Sequence, residues 1–261
     1  MPQFLVLPRA VDTREHTALL RAEEARHLAG AFRARRGEPV AIFDGEGRRW
    51  QGRVAEIGRG EVRIAELAPL APNEPPVDVD LLQALPKGER WEWILEKGTE
   101  LGARRFLPLL TARTVARVPT ERLEHRVDRW RKLVLAAAKQ CERGRVPSVF
   151  PPRELEACLQ TLGPAQPGEV RLFLSEREPA VCRPPPRPRP GVAQVGPGTA
   201  RITLAVGPEG GWSGQDRGAL AAAGFGPWSL GPRILRSETA AVAALAAVLG
   251  RWGDLEPPDA P

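Results

Sequence analysis

The hydrophobic pattern of the chain changes character at about residue 76. Before residue 70, a short apolar run at residues 39–43 is followed by alternating apolar and polar positions at residues 50–57 and 61–65, and turn sequences rich in Gly and Asp separate these segments. Alternation with a period of two predicts half-buried strands, and short strands at close spacing predict a small barrel. A helical pattern at residues 22–35 precedes them. Residues 68–76 contain four prolines and predict a linker, because proline disrupts both helices and central strands.

Beyond this linker, strand patterns alternate with helix patterns. The predicted strands cover residues 77–85, 105–110, 170–174, 201–206 and 227–230, and the predicted helices cover residues 88–101, 120 to about 144, 154–162, 213–223 and 237–249. This alternation predicts a parallel sheet with helices on both faces, the α/β class. A Pro/Arg-rich stretch at about 183–199 interrupts the pattern, and its composition predicts a disordered or polyproline surface loop. We therefore expect a β-barrel domain at residues 1–72 and an α/β domain at residues 77–254.

Length and composition argue against several classes of protein. The 261 residues are 42% hydrophobic and 27% charged, and no apolar run approaches the roughly 18 residues of a membrane-spanning helix. The N-terminus lacks the basic start and cleavage site of a secretory signal, so we expect a cytoplasmic protein without a membrane partner. The cysteines and histidines form no CxxC or HExxH motif, and GxSxG is absent. Neither a metal site nor a serine-hydrolase triad is therefore expected.

Positive charge is concentrated in one part of the chain. The net charge is +6, but residues 101–150 alone hold 12 basic and 4 acidic residues. In the predicted helix that starts at residue 120, an apolar stripe occupies one face, and six basic residues lie away from it: Lys132, Lys139 and the four arginines Arg122, Arg126, Arg129 and Arg143. Clustered arginines attract phosphates, so these four arginines, the basic ridge, predict contact with a nucleic acid. The alternative is a solvated helix face without a partner.

A glycine-rich loop follows the predicted strand at 201–206. Its candidate ligand-binding residues are Gly207, Glu209, Gly210 and Gly211. Glycines let a ligand approach the backbone closely and expose N–H groups to it. Ser213 and Asp216 have the spacing of a capping box that starts the next helix. The glycine spacing fits neither the dinucleotide-binding GxGxxG motif nor the P-loop. By itself, it also describes a plain strand–turn–helix connection.

A second candidate loop follows the predicted strand at 227–230. It contains Leu230, Gly231, Ile234 and Leu235, and Ser237 is placed to cap the last helix. Arg236 and Glu238 lie at the mouth that the two loops would share, because α/β sheets bind ligands at the carboxyl ends of their strands. Arginine supplies permanently charged donors for an anion. Glu238 near a helix N-terminus is also explained by the helix dipole alone.

The two loops together resemble a known family. GPEGGWS at 207–213, followed by LGPRILRSETA at 230–240 and an alanine-rich helix, resembles the RsmE family of SPOUT-class RNA methyltransferases. KGTELG at 97–102 and the AAKQ sequence at 137–140 are similar to upstream family motifs. His27-Leu28 and Asp44-Gly45 fit the N-terminal PUA-like barrel of the family. Ala136 and Lys139 replace acidic residues that are usual in the family, and the insert at 183–199 is unusual for it.

The resemblance implies a fold and a reaction. The fold is a SPOUT-type parallel-sheet domain with a trefoil knot, preceded by a small PUA-like RNA-binding barrel. The implied reaction is methylation of N3 of one uridine in 16S rRNA of the small ribosomal subunit, by a homodimer that uses S-adenosyl-L-methionine as methyl donor and no metal. The alternatives are a SPOUT enzyme that methylates a ribose 2′-hydroxyl, and a non-catalytic rRNA-binding assembly factor.

We assign roles to the site residues on the basis of this resemblance. Arg236 is expected to stabilise negative charge on the uracil carbonyls, and Glu238 to orient Arg236 or to relay the proton. The residues expected to line the cofactor pocket are Leu174, Ser175, Gly207, Glu209, Gly210, Gly211, Leu230, Gly231, Ile234 and Leu235. The four arginines of the basic ridge are expected to bind RNA.

Overall fold

The chain forms two compact units in the computed structural model, which describes residues 3–114, 120–176 and 201–255. The first unit consists of Met1–Glu74 and Leu135–Val146, and the second consists of Pro75–Val134 and Pro147–Pro261. The predicted loop at 183–199 lies outside the described residues. No helix in the described ranges is long and apolar enough to span a membrane.

The first unit contains a sheet of six strands among its described residues. They are β1 (Gln3–Leu5), β2 (Val11–Asp12), β3 (Thr17–Arg21), β4 (Pro39–Phe43), β5 (Arg49–Ile57) and β6 (Glu61–Pro69), in the order β1-β4-β5-β6-β3-β2. β1 and β4 are parallel, and the other neighbours are antiparallel. Alternate residues are buried along most of β5 and β6, as the period of two predicts, and Val54 and Ile64 lie in the core. The strand predictions for this unit are therefore confirmed.

The helical segment between β3 and β4 is shorter than predicted. α1 covers Ala22–Arg26, and a single π-helical segment continues it to Ala31. The prediction of a helix over residues 22–35 is thus wrong at its end. Arg33 has a φ of +50°, in the left-handed region, and a right-handed helix cannot pass through such a residue.

The second unit is built on a parallel sheet. Its strands are β7 (Asp78–Ala84), β8 (Arg105–Leu110), β9 (Ser148–Val149), β10 (Arg153–Glu154), β11 (Glu169–Leu174), β12 (Arg201–Val206) and β13 (Gly226–Trp228), in the order β10-β8-β7-β12-β11-β13 with β9 beside β8. β7 and β12 are central and almost wholly buried, and the buried residues include the polar side chains of Asp80, Gln83 and Thr203. Because the strands are parallel, the loops that follow β7, β11, β12 and β13 leave the same edge of the sheet.

Five helices follow the predicted alternation within the described residues after position 76. They are α2 (Arg90–Leu101), α3 (Leu123–Gln140), α4 (Leu155–Leu162), α5 (Gly214–Ala222) and α6 (Ser237–Trp252). The capping box at the start of α5 is confirmed, because the Ser213 hydroxyl accepts from the Asp216 amide and the Asp216 carboxylate accepts from the Ser213 amide. The predicted apolar stripe of α3 is also confirmed, since Val127, Trp130 and Val134 are buried.

The C-terminal end of α3 corrects one member of the basic ridge. α3 ends at Gln140, before the predicted end near residue 144, and Glu142 then has a left-handed φ of +60°. Arg143 therefore does not continue the exposed helix face. It is 4% exposed, and its Nη2 lies 2.6 Å from Oε2 of Glu74 within the first unit. The prediction that Arg143 belongs to an exposed ridge is wrong, because this arginine is a buried ion-pair partner.

Candidate active site

A cavity of about 510 Å³ lies at the carboxyl edge of the parallel sheet. Its volume is within the range of about 300–1,000 Å³ that is usual for small-molecule sites. The loops after β11, β12 and β13 all contribute to its wall. Eleven residues singled out from the sequence line it together: Leu174, Ser175, Gly207, Glu209, Gly210, Gly211, Leu230, Gly231, Ile234, Leu235 and Arg236. The fold thus brings the predicted cofactor residues into one cavity.

A buried hydrogen-bond network holds the start of α6 against the glycine-rich loop. The Ser237 hydroxyl donates to the Gly207 carbonyl at 2.8 Å and accepts from Nε2 of Gln83 at 2.8 Å. Ser237 is the first residue of α6 and does not cap it; Arg236 occupies the cap position without a side-chain capping bond. The prediction that Ser237 caps this helix is therefore wrong, because its hydroxyl connects β7, β12 and α6 instead.

Gln83 was missed by the sequence analysis, although a signal was present. It is a polar residue in the otherwise apolar stretch LLQAL of β7, and it is fully buried. A buried amide needs hydrogen-bond partners, and here Nε2 donates to both Ser237 and the Ala84 carbonyl. Its role is to position the two loops that form the cavity.

The glycine-rich loop is fixed at both of its sides. The indole Nε1 of Trp212 donates to the Leu174 carbonyl at 3.0 Å, which connects the loop to the end of β11. A Cβ on Gly207 would lie 3.1 Å from the Trp212 ring, so this ring packs directly on the glycine backbone. Gly211 has a φ of +67°, which residues other than glycine adopt only with strain. These contacts explain why this loop needs glycine.

Arg113 is a second residue that the sequence analysis missed. It follows β8, and its Nη1 donates to the Gly210 carbonyl at 2.8 Å. Its aliphatic stem lies 3.5 Å from the position that a Cβ on Gly210 would occupy. Arg113 therefore forms part of the cavity wall. No sequence signal connects it to Gly210, because the two residues are 97 positions apart.

Glu238 is held by an arginine other than Arg236. Its Oε1 lies 3.5 Å from Nε of Arg90, and Nη1 of Arg90 lies 3.0 Å from Oε1 of Glu209. The buried Oε2 of Glu238 has no hydrogen-bond partner in the described part of the chain. Arg236 lines the cavity and makes no ion pair with a described residue. Arg90 thus connects the acidic residues of the two loops.

Three arginines of the predicted ridge remain on one exposed surface. Arg122, directly before α3, and Arg126 and Arg129, near its N-terminal end, are all exposed. The Arg126 guanidinium lies 5.7 Å from the ring centroid of Trp130, and Nη2 of Arg129 donates to Oε2 of Glu92 at 2.7 Å. The basic ridge therefore consists of these three residues.

The cysteines of the described ranges have no assigned chemistry. Burial raises the pKa of the Cys158 thiol to about 11, which keeps it protonated at neutral pH. Cys141 is partly buried, and Cys182 lies outside the described residues. Among the described residues, no group of three or more His, Cys, Asp or Glu side chains could hold a metal ion.

Comparisons with known proteins agree with this arrangement. An RNA methyltransferase domain model matches residues 73–249, and an RNA methyltransferase PUA domain model matches residues 20–67. The chain is 37% identical to ribosomal RNA small subunit methyltransferase E of Mycobacterium tuberculosis, over 93% of this chain and 92% of that protein. It is 34% identical to the protein of the same name from Synechocystis, over 90% of this chain and 73% of that protein.

Solved structures show the same likeness. Ribosomal RNA small subunit methyltransferase E from Neisseria gonorrhoeae, bound to S-adenosyl methionine, has a TM-score of 0.80 and 31% identity, with 98% of this chain and 100% of that chain covered. The predicted fold class of a SPOUT-type parallel-sheet α/β domain preceded by a PUA-like barrel is confirmed, and the trefoil knot stays a prediction. The chain belongs to the ribosomal RNA small subunit methyltransferase E family.

Proposed function

We propose that this protein transfers the methyl group of S-adenosylmethionine to N3 of a uridine in 16S rRNA of the small ribosomal subunit. The main support for the proposal is that the loops after β11, β12 and β13 line one cavity of about 510 Å³. The relatives named above are small-subunit rRNA methyltransferases, and one of them was solved with this cofactor bound. The N-terminal PUA domain match supports an RNA substrate.

The cavity wall fits a cofactor that is held through backbone groups. A Cβ on Gly211 or Gly231 would meet no atom within 4 Å, so open space adjoins the backbone of both cavity-lining loops. The Ser237 and Trp212 hydrogen bonds fix these loops in advance, which lowers the entropy lost on binding. When bound, S-adenosylmethionine supplies a methyl group that an in-line nucleophile takes from the sulfonium sulfur, which leaves as a neutral thioether. The three loops would hold the cofactor and exclude water from it.

Arg236 is the residue that we assign to charge stabilisation. Uridine N3 carries a proton and becomes nucleophilic only as that proton leaves, which places negative charge on the two uracil carbonyls. Arg236 lines the cavity, and its permanently charged guanidinium has no competing ion pair among the described residues. Such fixed donors act most strongly where charge develops in the transition state.

Glu238 is the residue that we assign to proton relay. The sequence left two roles open for it, and the contact with Arg90 in place of Arg236 favours relay over the orientation of Arg236. Arg90 holds Oε1, while Oε2 has no partner in the described chain and is the atom proposed to accept the proton. Glu238 does not itself line the cavity, and its Oε2 is buried, so the proposed relay runs through an enclosed water that would also be the hydrogen-bond partner of Oε2.

The basic ridge supplies the proposed RNA contact. Arg122, Arg126 and Arg129 are exposed on one surface of the second unit and replace the original set of four. Contacts from these residues to phosphates would position the RNA without reading its sequence. The target uridine must be unpaired or flipped out, because N3 is hidden in a Watson–Crick pair.

A homodimer and a cytoplasmic location are the remaining parts of the proposal. Three large apolar side chains of the described part of the second unit are exposed, Trp93 by 43%, Ile234 by 79% and Leu255 by 46%, and exposed apolar groups favour burial against a partner. Ile234 also lines the cavity, so a partner seated on it would complete the site. Light scattering tests this point: we expect a dimer, and a fully active monomer would contradict it.

A methyl-transfer assay tests the proposed reaction. Small ribosomal subunits from a strain that lacks the enzyme are incubated with the protein and S-adenosylmethionine, and the product nucleoside is mapped by mass spectrometry. We expect one methyl group on the base of a single uridine, at N3. A methyl group on a ribose would instead assign the protein to the 2′-O class, and RNA binding without transfer would identify an assembly factor.

A further inference from the structure

A second cavity of about 310 Å³ lies beside the first in the parallel-sheet unit. Its wall combines the loop between β7 and α2 with the exposed start of α3, and it includes Lys87, Arg126 and Arg129. Glu89 and Glu92 also line it, so its charged side chains carry a net positive charge. Of these residues, only Arg126 and Arg129 belong to the basic ridge, and Lys87 has no assigned role.

The two cavities are neighbours because their loops leave adjacent parallel strands. β7 and β12 pair in register, with Gln83 opposite Val206 at their carboxyl ends. Lys87 lies four residues beyond Gln83, and Gly210 lies four residues beyond Val206. Adjacent strands are about 4.8 Å apart. The 3.0 Å contact of Arg90 with Glu209 joins the start of α2 directly to the glycine-rich loop.

The cations of the second cavity differ in their availability to a ligand. Nη2 of Arg129 is occupied by Glu92 at 2.7 Å. Lys87 and Arg126 have no ion pair within 4 Å among the described residues, and Arg126 is oriented by the Trp130 ring beneath it. The buried Nε1–H of Trp91, in the same wall, has no acceptor in the described chain. The cavity therefore offers donors and positive charge in excess of acceptors.

We propose that this second cavity binds a backbone phosphate of the RNA, close to the nucleotide that is methylated, and that Lys87 and Arg126 are its cationic ligands. The inference rests on the proposed function for the identity of the RNA. A stacked base does not fit the site, because its two aromatic side chains, Trp91 and Trp130, are 2% and 1% exposed and present no open ring face. A phosphate matches both the excess of donors and the position beside the cofactor cavity.

The test uses Lys87→Gln, Arg126→Gln and the double variant, with Arg131→Gln as the matched control. Arg131 is an exposed arginine of α3 that pairs with Asp128 and does not line the cavity. RNA binding is titrated against salt. We expect the double variant to reduce the magnitude of the log–log salt slope by about 0.7–0.9 units, since the cavity holds one phosphate and each phosphate contact contributes about 0.7–0.9. The control is expected to retain the wild-type slope.

Two further readouts separate a phosphate contact from other roles. The loss of affinity is expected to be equal for the cognate RNA and for a scrambled RNA of the same length, because phosphates carry no sequence information. In the methyl-transfer assay, the KM for RNA is expected to rise about tenfold while kcat is retained. An unchanged salt slope would overturn the proposal, and so would a loss confined to the cognate sequence or to kcat.

Binding of S-adenosylmethionine and thermal melting serve as controls on folding. The cofactor affinity and the melting temperature are expected to be unchanged in all these variants. Lys87→Arg keeps the positive charge, so it is expected to show the wild-type salt slope that Lys87→Gln loses. Failure of Lys87→Arg to restore it would overturn the role of Lys87. If the wild-type protein does not methylate uridine N3, the proposed function fails, whereas the salt slope still decides whether the second cavity binds phosphate.

Discussion

The two neighbouring cavities at the carboxyl edge of the parallel sheet have walls made of different chemical groups. The first is formed largely by the backbone of the loops after β11, β12 and β13, which buried bonds such as Ser237 to Gly207 hold in place. The second is formed by charged side chains around the starts of α2 and α3, and its cations reach solvent. A backbone site depends on the fold and is insensitive to salt, whereas a site made of exposed cations tolerates substitution and is weakened by salt.

The largest expected effect comes from filling the backbone cavity. Gly210→Val is expected to lower the affinity for S-adenosylmethionine by about 100-fold or more, because overpacking a filled site costs about 1–3 kcal/mol and occasionally more. The protein is expected to stay folded, because a Cβ at this position meets only the stem of Arg113, at 3.5 Å. Isothermal calorimetry measures the affinity.

Gly214→Val is the matched control for this substitution. Gly214 begins α5, does not line the cavity, and has open space around the position of its Cβ. Its affinity for the cofactor is expected to equal that of the wild type. Unchanged affinity in Gly210→Val, or an equal loss in Gly214→Val, would remove the cofactor from this cavity.

The largest expected effect on kcat, as distinct from cofactor affinity, is at Arg236. Arg236→Gln is expected to reduce kcat by about 10²–10³-fold, the usual cost of one donor that stabilises developing charge. Arg236→Lys keeps the charge but loses the planar guanidinium, so an intermediate kcat is expected. Single-turnover methylation at saturating cofactor provides the measurement. A kcat within threefold of the wild type in Arg236→Gln would show that this arginine does not act on the reacting base.

A smaller effect is expected from the network that positions the loops. Ser237→Ala removes the donor to the Gly207 carbonyl and the acceptor for Gln83, and is expected to cost about 1–3 kcal/mol of folding stability. A double-mutant cycle with Gln83→Leu measures their coupling in urea unfolding. If the two losses simply add, the hydrogen bond between these side chains contributes nothing to stability.

The smallest effect concerns acid stability and lies away from both cavities. Burial alone would raise the pKa of Glu169, but hydrogen bonds from Arg171, the Gln166 amide and Thr203 outweigh it, so the pKa is lowered from its ordinary value of 4.5. The stabilisation is therefore present above about pH 4.5 and is lost as the pH falls through the lowered pKa. In the wild type, the urea concentration at the unfolding midpoint is expected to fall as the pH is lowered from 6 to 3. In Glu169→Gln it is expected to fall less.

Glu124→Gln is the control for that measurement. Glu124 is an exposed carboxylate of α3, and no ion pair or hydrogen bond of its side chain is found among the described residues. The urea midpoint of Glu124→Gln is expected to fall with pH as that of the wild type does. Equal curves for Glu169→Gln and the wild type would contradict the role of Glu169.

The sequence was informative where local pattern determines structure. β4, β8 and β12 have the predicted boundaries, and the runs of β4 and β12 end directly at the turn signals Asp44-Gly45 and Gly207-Pro208. The family motifs likewise located the residues that line the first cavity. The ends of α1 and α3 were wrong because Arg33 and Glu142 adopt left-handed backbone conformations, which helical periodicity does not reveal.

The second cavity and the supports of the first were not predictable in the same way. Arg90, Arg113 and Gln83 reach the site from elements that are 97 to 154 positions away from their partners. Such contacts depend on the order of strands in the sheet, and no local pattern encodes them. Arg143 has the spacing of a ridge residue, but its buried contact with Glu74 depends on the same long-range packing.

The central claim is that the cofactor binds in the backbone cavity and leaves the second cavity to RNA. Indole N–H signals in a nitrogen-15 NMR spectrum test it directly, because Trp212 and Trp228 line the first cavity and Trp91 and Trp130 line the second. Addition of S-adenosylmethionine alone is expected to shift the signals of Trp212 and Trp228 and to leave those of Trp91 and Trp130 in place. Shifts of Trp91 and Trp130 without a shift of Trp212 would contradict the account.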